Sequence, residues 1–187
     1  MAFEAPRGVR VQEPDPQVIR AAAQQDQAAF SELVRAYQAH VWRFLRHLLG
    51  DDALAEDVTQ ETFIRVYRKL HTFEFRSKFS TWILNVARNA GTDELRARQR
   101  RARLVDRLSV PEPPQRDPSL RVEIAAAIDG LTPKLRETLL LVELFGFTYR
   151  ETAEVLGIPE GTAKRRVFDA RKQLAVELLE GGAADAV

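Results

Sequence analysis

The sequence contains no cysteine, which excludes disulfide scaffolds, thiolate-bound zinc and thiol nucleophiles. Histidine is nearly as scarce, and His40, His47 and His71 are too scattered to suggest a metal cluster. No apolar run approaches the ~18 residues that span a bilayer, and the N-terminus lacks the apolar stretch of a signal peptide. The protein is therefore expected in the cytoplasm, with no direct membrane insertion. An excess of either charge is missing too: 28 Lys plus Arg stand against 27 Asp plus Glu, a net charge of +1. Any contact with nucleic acid must then rest on charge sorted locally. What is present is an ordinary globular composition, 187 residues with 45% hydrophobic, enough for one or two domains with modest cores.

No segment alternates with period two over any length and no internal repeat is visible, so the expected fold class is all-α. Residues 1–15 show no periodicity and read as a loose tail. From Pro16 to about Arg103 apolar residues recur at helical spacing. Phe30, Leu33, Val34, Tyr37, Val41, Phe44 and Leu48 share one helix face, and Gly50 with Asp51 and Asp52 ends it. A second helix is expected over Ala53–Leu70 and a third over Ser80–Arg101, flanking an aromatic, basic loop, His71 to Phe79. Residues 108–118 (LSVPEPPQRDP) hold four of the nine prolines. Proline removes amide donors and fixes φ, so this stretch reads as a linker reaching roughly 34 Å at about 3.1 Å per residue. The boundaries expected are a tail, 1–15; a helical domain, 16–107; the linker, 108–119; a second helical domain, 120–181; and a C-terminal tail, 182–187.

The second domain carries the clearest punctuation. Thr132–Pro133 reads as an N-cap with proline at the first helical position, and that helix runs to Phe145 before Gly146. Thr148 and Glu151 have capping-box spacing, and the short helix they open ends at Gly157. The turn Ile158–Pro159 leads to a last helix from Glu160 to about Glu180. Two helices joined this way suggest a helix-turn-helix. On the last helix Ala163, Val167, Ala170 and Leu174 form a small-residue inner face. Lys164, Arg165, Phe168, Arg171 and Lys172 occupy the opposite arc, which packing does not require. Cations there neutralise phosphates, arginine bridges guanine O6 and N7, and Phe168 suits a thymine methyl. Asp169, at the edge, suits a cytosine amino group or a pair with Arg165 or Lys172. Arg166 points to the far side and reads as a flank or phosphate residue.

Charge is also segregated in the first domain. Residues 51–61 (DDALAEDVTQE) hold five acids and no base, and residues 96–107 hold six arginines against one aspartate. Val58, Thr62, Phe63, Val66 and Leu70 form the core arc of the second helix. Asp57, Gln60, Glu61, Ile64 and Arg68 lie opposite, and an isoleucine among acids suits a docking surface for a basic partner helix. On the third helix Phe79, Trp82, Ile83, Val86 and Ala90 face the core. Asn85, Arg88, Thr92 and Arg96 face away beside Leu84. Together with Phe75 and Lys78 in the preceding loop they suit a single-stranded nucleic acid, although a core role is favoured for Phe73, Phe75 and Phe79.

Three stretches, AEDVTQETFIRVYRKL, KFSTWILNVARNAGTDELRARQRR and LTPKLRETLLLVELFGFTYRETAEVLGIPEGTAKRR, resemble regions two and four of bacterial sigma factors. The absence of a domain between them resembles the extracytoplasmic-function (ECF) group, and the likeness covers about residues 25–180. It implies a non-enzymatic RNA polymerase subunit with no cofactor, metal or small-molecule substrate. The partners it implies are core RNA polymerase (clamp helices of the largest subunit, flap of the second-largest), promoter DNA on the nucleoid and an anti-sigma factor. By position it places Asp57, Gln60, Glu61 and Ile64 in the polymerase-docking helix. Phe75 and Lys78 fall in the loop that holds a flipped −10 base, with Asn85, Arg88, Thr92 and Arg96 on the helical −10 surface. Lys164, Arg165, Phe168, Arg171 and Lys172 fall in the −35 recognition helix. This sequence departs from the family where Arg165 replaces a usual serine and Asp169 a frequent arginine, both on the DNA-facing helix. Gly91 replaces a usual apolar residue, at a cost of up to about 1 kcal/mol in helix propensity unless close packing needs it.

Two other classes remain to be separated from this reading. A conventional helix-turn-helix regulator would use residues 16–103 to sense a ligand or dimerise, and would bind symmetric half-sites tightly on its own. An enzyme would have to use Asp57 and Glu61, the only close carboxylate pair worth testing, without a nucleophile or metal set beside them. A sigma factor, with two DNA surfaces joined by a tether, is expected to bind promoters weakly until polymerase fixes their separation.

Overall fold

The protein is described here by a computed structural model covering residues 12–105 and 126–184. The stretch expected to form the proline-rich linker, 108–119, lies outside those residues, as does most of the expected N-terminal tail. Among the described residues no strand occurs. The first helices are α1 (Pro16–Ala23), α2 (Gln27–Leu49) and α3 (Asp52–Lys69). A 3-10 turn at Leu70–Thr72 then leads to α4 (Phe79–Val105). Residues 126–130 are helical and precede α5 (Pro133–Glu143), α6 (Tyr149–Leu156) and α7 (Glu160–Ala184).

Aspartates set the starts of the first three helices. Asp15, Asp26 and Asp51 accept from the amides of Gln17, Ala29 and Leu54 at 2.7, 2.9 and 3.0 Å, each satisfying an amide with no partner in its own helix. The sequence pattern reads as continuous from Pro16, yet the chain breaks between α1 and α2, where Gln25 adopts φ +70°. Residues 12–15 also differ from the loose tail expected: the Gln12 carbonyl accepts from the Tyr37 hydroxyl at 3.0 Å.

The core follows the periodicity. Leu33, Tyr37, Val41, Phe44 and Leu48 of α2 are buried against Val58, Thr62, Phe63 and Val66 of α3 and Phe79, Ile83, Ala87 and Ala90 of α4. Gly91 has a packing reason, because a Cβ there would stand 2.8 Å from Leu48 Cδ2 and 3.0 Å from Leu45 Cδ2. An alanine there would require the Leu45 and Leu48 methyls to shift, so the α4–α2 contact is close at this point.

The C-terminal helices have a small core of their own, in which Leu131 and Leu139 meet the α7 inner face of Val167 and Ala170. They also share the main core. Leu141, Phe145, Phe147, Val155 and Leu156 are buried in one cluster with the residues of α2, α3 and α4. Phe145 packs edge-on against Phe44 with ring centroids 6.0 Å apart. Burying each such side chain is worth roughly 1.5–3 kcal/mol, whereas a surface ion pair contributes about 0–1 kcal/mol. Apolar contact thus holds the two helix groups together, and the polar pairs described next fix their register.

Candidate nucleic-acid interface and docking face

The outward arc of α7 forms as its spacing predicts. Thr148 and Glu151 make the reciprocal capping box: the Thr148 amide donates to Glu151 Oε2 at 2.8 Å and the Glu151 amide to Thr148 Oγ1 at 3.2 Å. Gly157, with φ +63°, supplies the left-handed residue that turns α6 into α7. Lys164, Arg165, Phe168 and Lys172 point outward, and Phe168 is 67% exposed. Within this face Lys164 pairs with Glu160 at 2.8 Å and Arg165 with Asp169 at 3.7 Å, one of the pairings expected of Asp169. Arg171 also anchors α7, since its guanidinium donates to Glu143 of α5. Arg166 is a half-buried partner of Glu137, 3.8 Å away, rather than the solvent flank expected of it.

On α3, Asp57, Gln60 and Ile64 are exposed, and Ile64 is 46% accessible among them. The acids of residues 51–61 divide into two kinds. Asp51 caps α3, Asp52 pairs with Arg46 at 2.7 Å, and Glu61 pairs with Arg65 at 2.8 Å. Arg65 reaches Asp93 of α4 as well, also at 2.8 Å, and the hydrogen bonds it donates to both carboxylates hold its guanidinium charge more firmly than usual. Asp57 and Glu56 have no ion pair among the described residues and are exposed, and Asp57 is the one that lies on the face with Gln60 and Ile64.

The third surface is where structure and expectation part. Asn85, Arg88 and Lys78 are expected to face solvent; the C-terminal helices partly bury Asn85 and Arg88, while Lys78 stays exposed but is tied to them by an ion pair. The Asn85 amide donates to the Val155 carbonyl of α6 at 3.0 Å. Arg88 donates to Glu137 of α5 at 3.0 Å, and that carboxylate is buried between Arg88 and Arg166. Lys78 meets Glu151 at 2.5 Å. Burial alone would raise the Glu151 carboxyl, yet hydrogen bonds from Lys78 and Thr148 outweigh it and leave it below the usual carboxylate range. Leu84, expected beside the exposed face, is 1% accessible in the shared core. Thr92 and Arg96 lie beyond the covered stretch, with Thr92 half-buried and Arg96 exposed. Phe79 is core as favoured and Phe73 is half-buried, but Phe75 is 41% exposed with φ +57°.

Glu137 was not singled out from the sequence. Its signal was an acid four residues before Leu141 on an apolar helix face, a position where an unpaired charge is costly. Comparison with known proteins puts these surfaces in context. Sigma-70 region 2 matches residues 33–101, and Sigma-70, region 4, matches residues 121–174. The ECF RNA polymerase sigma factor SigC of Mycobacterium tuberculosis is 35% identical over 161 residues, 83% of this chain and 86% of that one. SigM of Bacillus subtilis, of the same description, is 34% identical over 149 residues, covering 76% and 91%. Among solved structures, the sigma factor RpoE in complex with the anti-sigma factor NepR from Bartonella quintana aligns with a TM-score of 0.70. Its sequence identity is 26%, and the alignment covers 80% of this chain and 96% of that one.

Proposed function

The chain belongs to the ECF group of sigma-70 RNA polymerase sigma factors, and from that premise we propose how its surfaces divide the work of promoter-specific initiation. As a sigma factor it binds core RNA polymerase and directs it to promoters, recognising and melting the −10 element and reading the −35 element. The regulator and enzyme readings fall away with the family. The polymerase supplies the chemistry, and this chain supplies recognition without catalysis of its own, acting in the cytoplasm where polymerase works.

In this reading Asp57, Gln60 and Ile64 form the docking face for the clamp helices of the largest polymerase subunit, with Glu61 shaping it through Arg65. Lys164, Arg165, Phe168 and Lys172 read the −35 duplex, and Arg171 does so from a position tied to Glu143. Asn85, Arg88 and Lys78, with Phe75, Thr92 and Arg96 around them, hold the melted −10 strand once the C-terminal helices move aside. The residue boundaries of the two domains stay as the sequence suggests, 16–107 and 120–181. The observation that carries this division is the asymmetry of exposure. The acidic face and the recognition helix are open, while the centre of the −10 surface is covered by hydrogen bonds and apolar contact. Polymerase can dock and the −35 element can be approached before the −10 surface is free. An anti-sigma partner that braces the two helix groups against each other would keep that surface covered.

Docking is tested by titrating fluorescently labelled core polymerase with the Asp57→Arg variant. Reversing this acid should weaken core affinity by tenfold or more, about 1.4 kcal/mol, while thermal stability is unchanged. Unaltered affinity would place the contact elsewhere.

A further inference from the structure

The segment ahead of the region-2 match, which starts at residue 33, touches the −10 loop at two separate points. The first is the start of α4. Lys78 occupies the N-cap position, since its carbonyl accepts the first helical bond from Trp82 at 3.1 Å, but a lysine side chain cannot accept from an amide. The missing acceptor comes from 66 residues away: Glu13 takes the Phe79 amide at 2.9 Å and the Ser80 amide at 3.3 Å. Glu13 is itself placed by its neighbour, whose carbonyl accepts from Tyr37. Burial, then the Glu13 charge, pushes the Tyr37 phenol up, which keeps it a hydrogen-bond donor.

The second contact is at the loop tip. Arg20 of α1 places its guanidinium carbon 5.1 Å from the Phe75 ring centroid. Phe75 holds φ +57°, a conformation that bulky side chains rarely adopt and that surrounding contacts must maintain. Its other neighbour is Phe73, with ring centroids 4.8 Å apart, and Phe73 lies 5.4 Å from Trp82. Arg20 therefore closes an aromatic row that begins in the core and ends at solvent. A guanidinium over an exposed ring offers both a stacking plane and a positive charge to an unpaired nucleotide.

We propose that Glu13 and Arg20 are positioning residues for −10 recognition: Glu13 fixes the start of the −10 helix and Arg20 fixes the Phe75 ring. An extruded base of the non-template strand then meets a preformed loop. This rests on the assignment of loop 71–78 to the −10 strand made above. It adds to that assignment the segment Gln12–Arg20, which no family motif covers.

The test uses holoenzyme, core polymerase plus the full chain, with a fluorescent single-stranded oligonucleotide carrying the −10 non-template sequence. Arg20→Ala and Glu13→Ala should each weaken oligonucleotide binding at least fivefold and flatten its preference at the extruded base. Core affinity and −35 duplex binding should stay within twofold. Arg20→Lys, which keeps charge but loses the planar fork, and Glu13→Gln, which keeps one acceptor oxygen, should recover part of the loss. Unchanged oligonucleotide affinity and preference would overturn the proposal, as would a parallel fall in core and −35 binding, the signature of general unfolding. If wild-type holoenzyme showed no preference for the −10 strand, the loop assignment itself would fall, a result distinct from unaffected variants of a discriminating wild type.

Discussion

In the proposed reading, −35 recognition depends most directly on Lys164 and Phe168, because both are exposed on the outward face of α7. Lys164 has a local partner, Glu160, which raises its pKa and keeps it protonated, and the pair is solvent-exposed enough to open for a phosphate. Lys164→Ala is expected to weaken −35-dependent initiation across all promoter sequences and lower its salt sensitivity. Phe168→Ala should cost about 1–3 kcal/mol at a single base pair and relax specificity there. Binding of −35 duplex variants by holoenzyme at two salt concentrations separates the two effects, and a loss that tracked polymerase affinity instead would contradict the assignment. At this scale much of the site was legible in the sequence. The outward arc of α7 follows from helical spacing alone, and so does the exposure of Asp57. The pairing of Arg166 with Glu137 was not, since a helical wheel gives the direction of a side chain but not which distant element waits there.

At the scale of elements, one helix start is fully readable, while Thr132, read as an N-cap, makes no side-chain cap bond. Thr148 and Glu151 announce α6 by type and spacing, and the reciprocal bonds are present. The break between α1 and α2 has no sequence signal, because Gln25 takes a left-handed conformation usually marked by glycine or asparagine. The packing of α5 on α2 also lacks a local signature, yet it has a measurable consequence. His47 of α2 has its pKa lowered, first by burial and then by Arg46, with Arg136 and Arg43 adding to it and Asp129 opposing. Arg136 of α5 donates to the His47 carbonyl at 3.2 Å, so protonation of this imidazole places a second cation at the joint. A histidine whose folded pKa is depressed lets the unfolded chain bind protons first, so stability is full above about pH 6.5 and falls as pH drops toward the folded value. Thermal melts from pH 7.5 to 5.5 should show that decline, and His47→Gln should flatten it. An identical slope in the variant would assign the effect to other groups.

At the scale of the molecule, the described residues leave two of the expected surfaces open and partly cover the third. Fold class and the division into two helix groups could be read from periodicity and punctuation, because both are local properties of the chain. Their closure could not. It depends on Phe145 and Phe147, between α5 and α6, and on Val155 and Leu156 of α6, apolar residues with no local sign of a distant partner that join the core of α2 and α4. With Arg88 on Glu137 and Asn85 on Val155, the closed arrangement engages both residues proposed for the centre of the −10 surface. The chain by itself is therefore expected to recognise a promoter poorly and to gain that ability with polymerase. The most direct measurement is run-off transcription from a promoter carrying both elements, together with promoter binding at physiological salt by the chain alone, by core alone and by the two combined. Only the combination should bind the promoter specifically and yield the defined transcript; tight sequence-specific binding by the chain alone, or no promoter-dependent transcript from the mixture, would contradict the account.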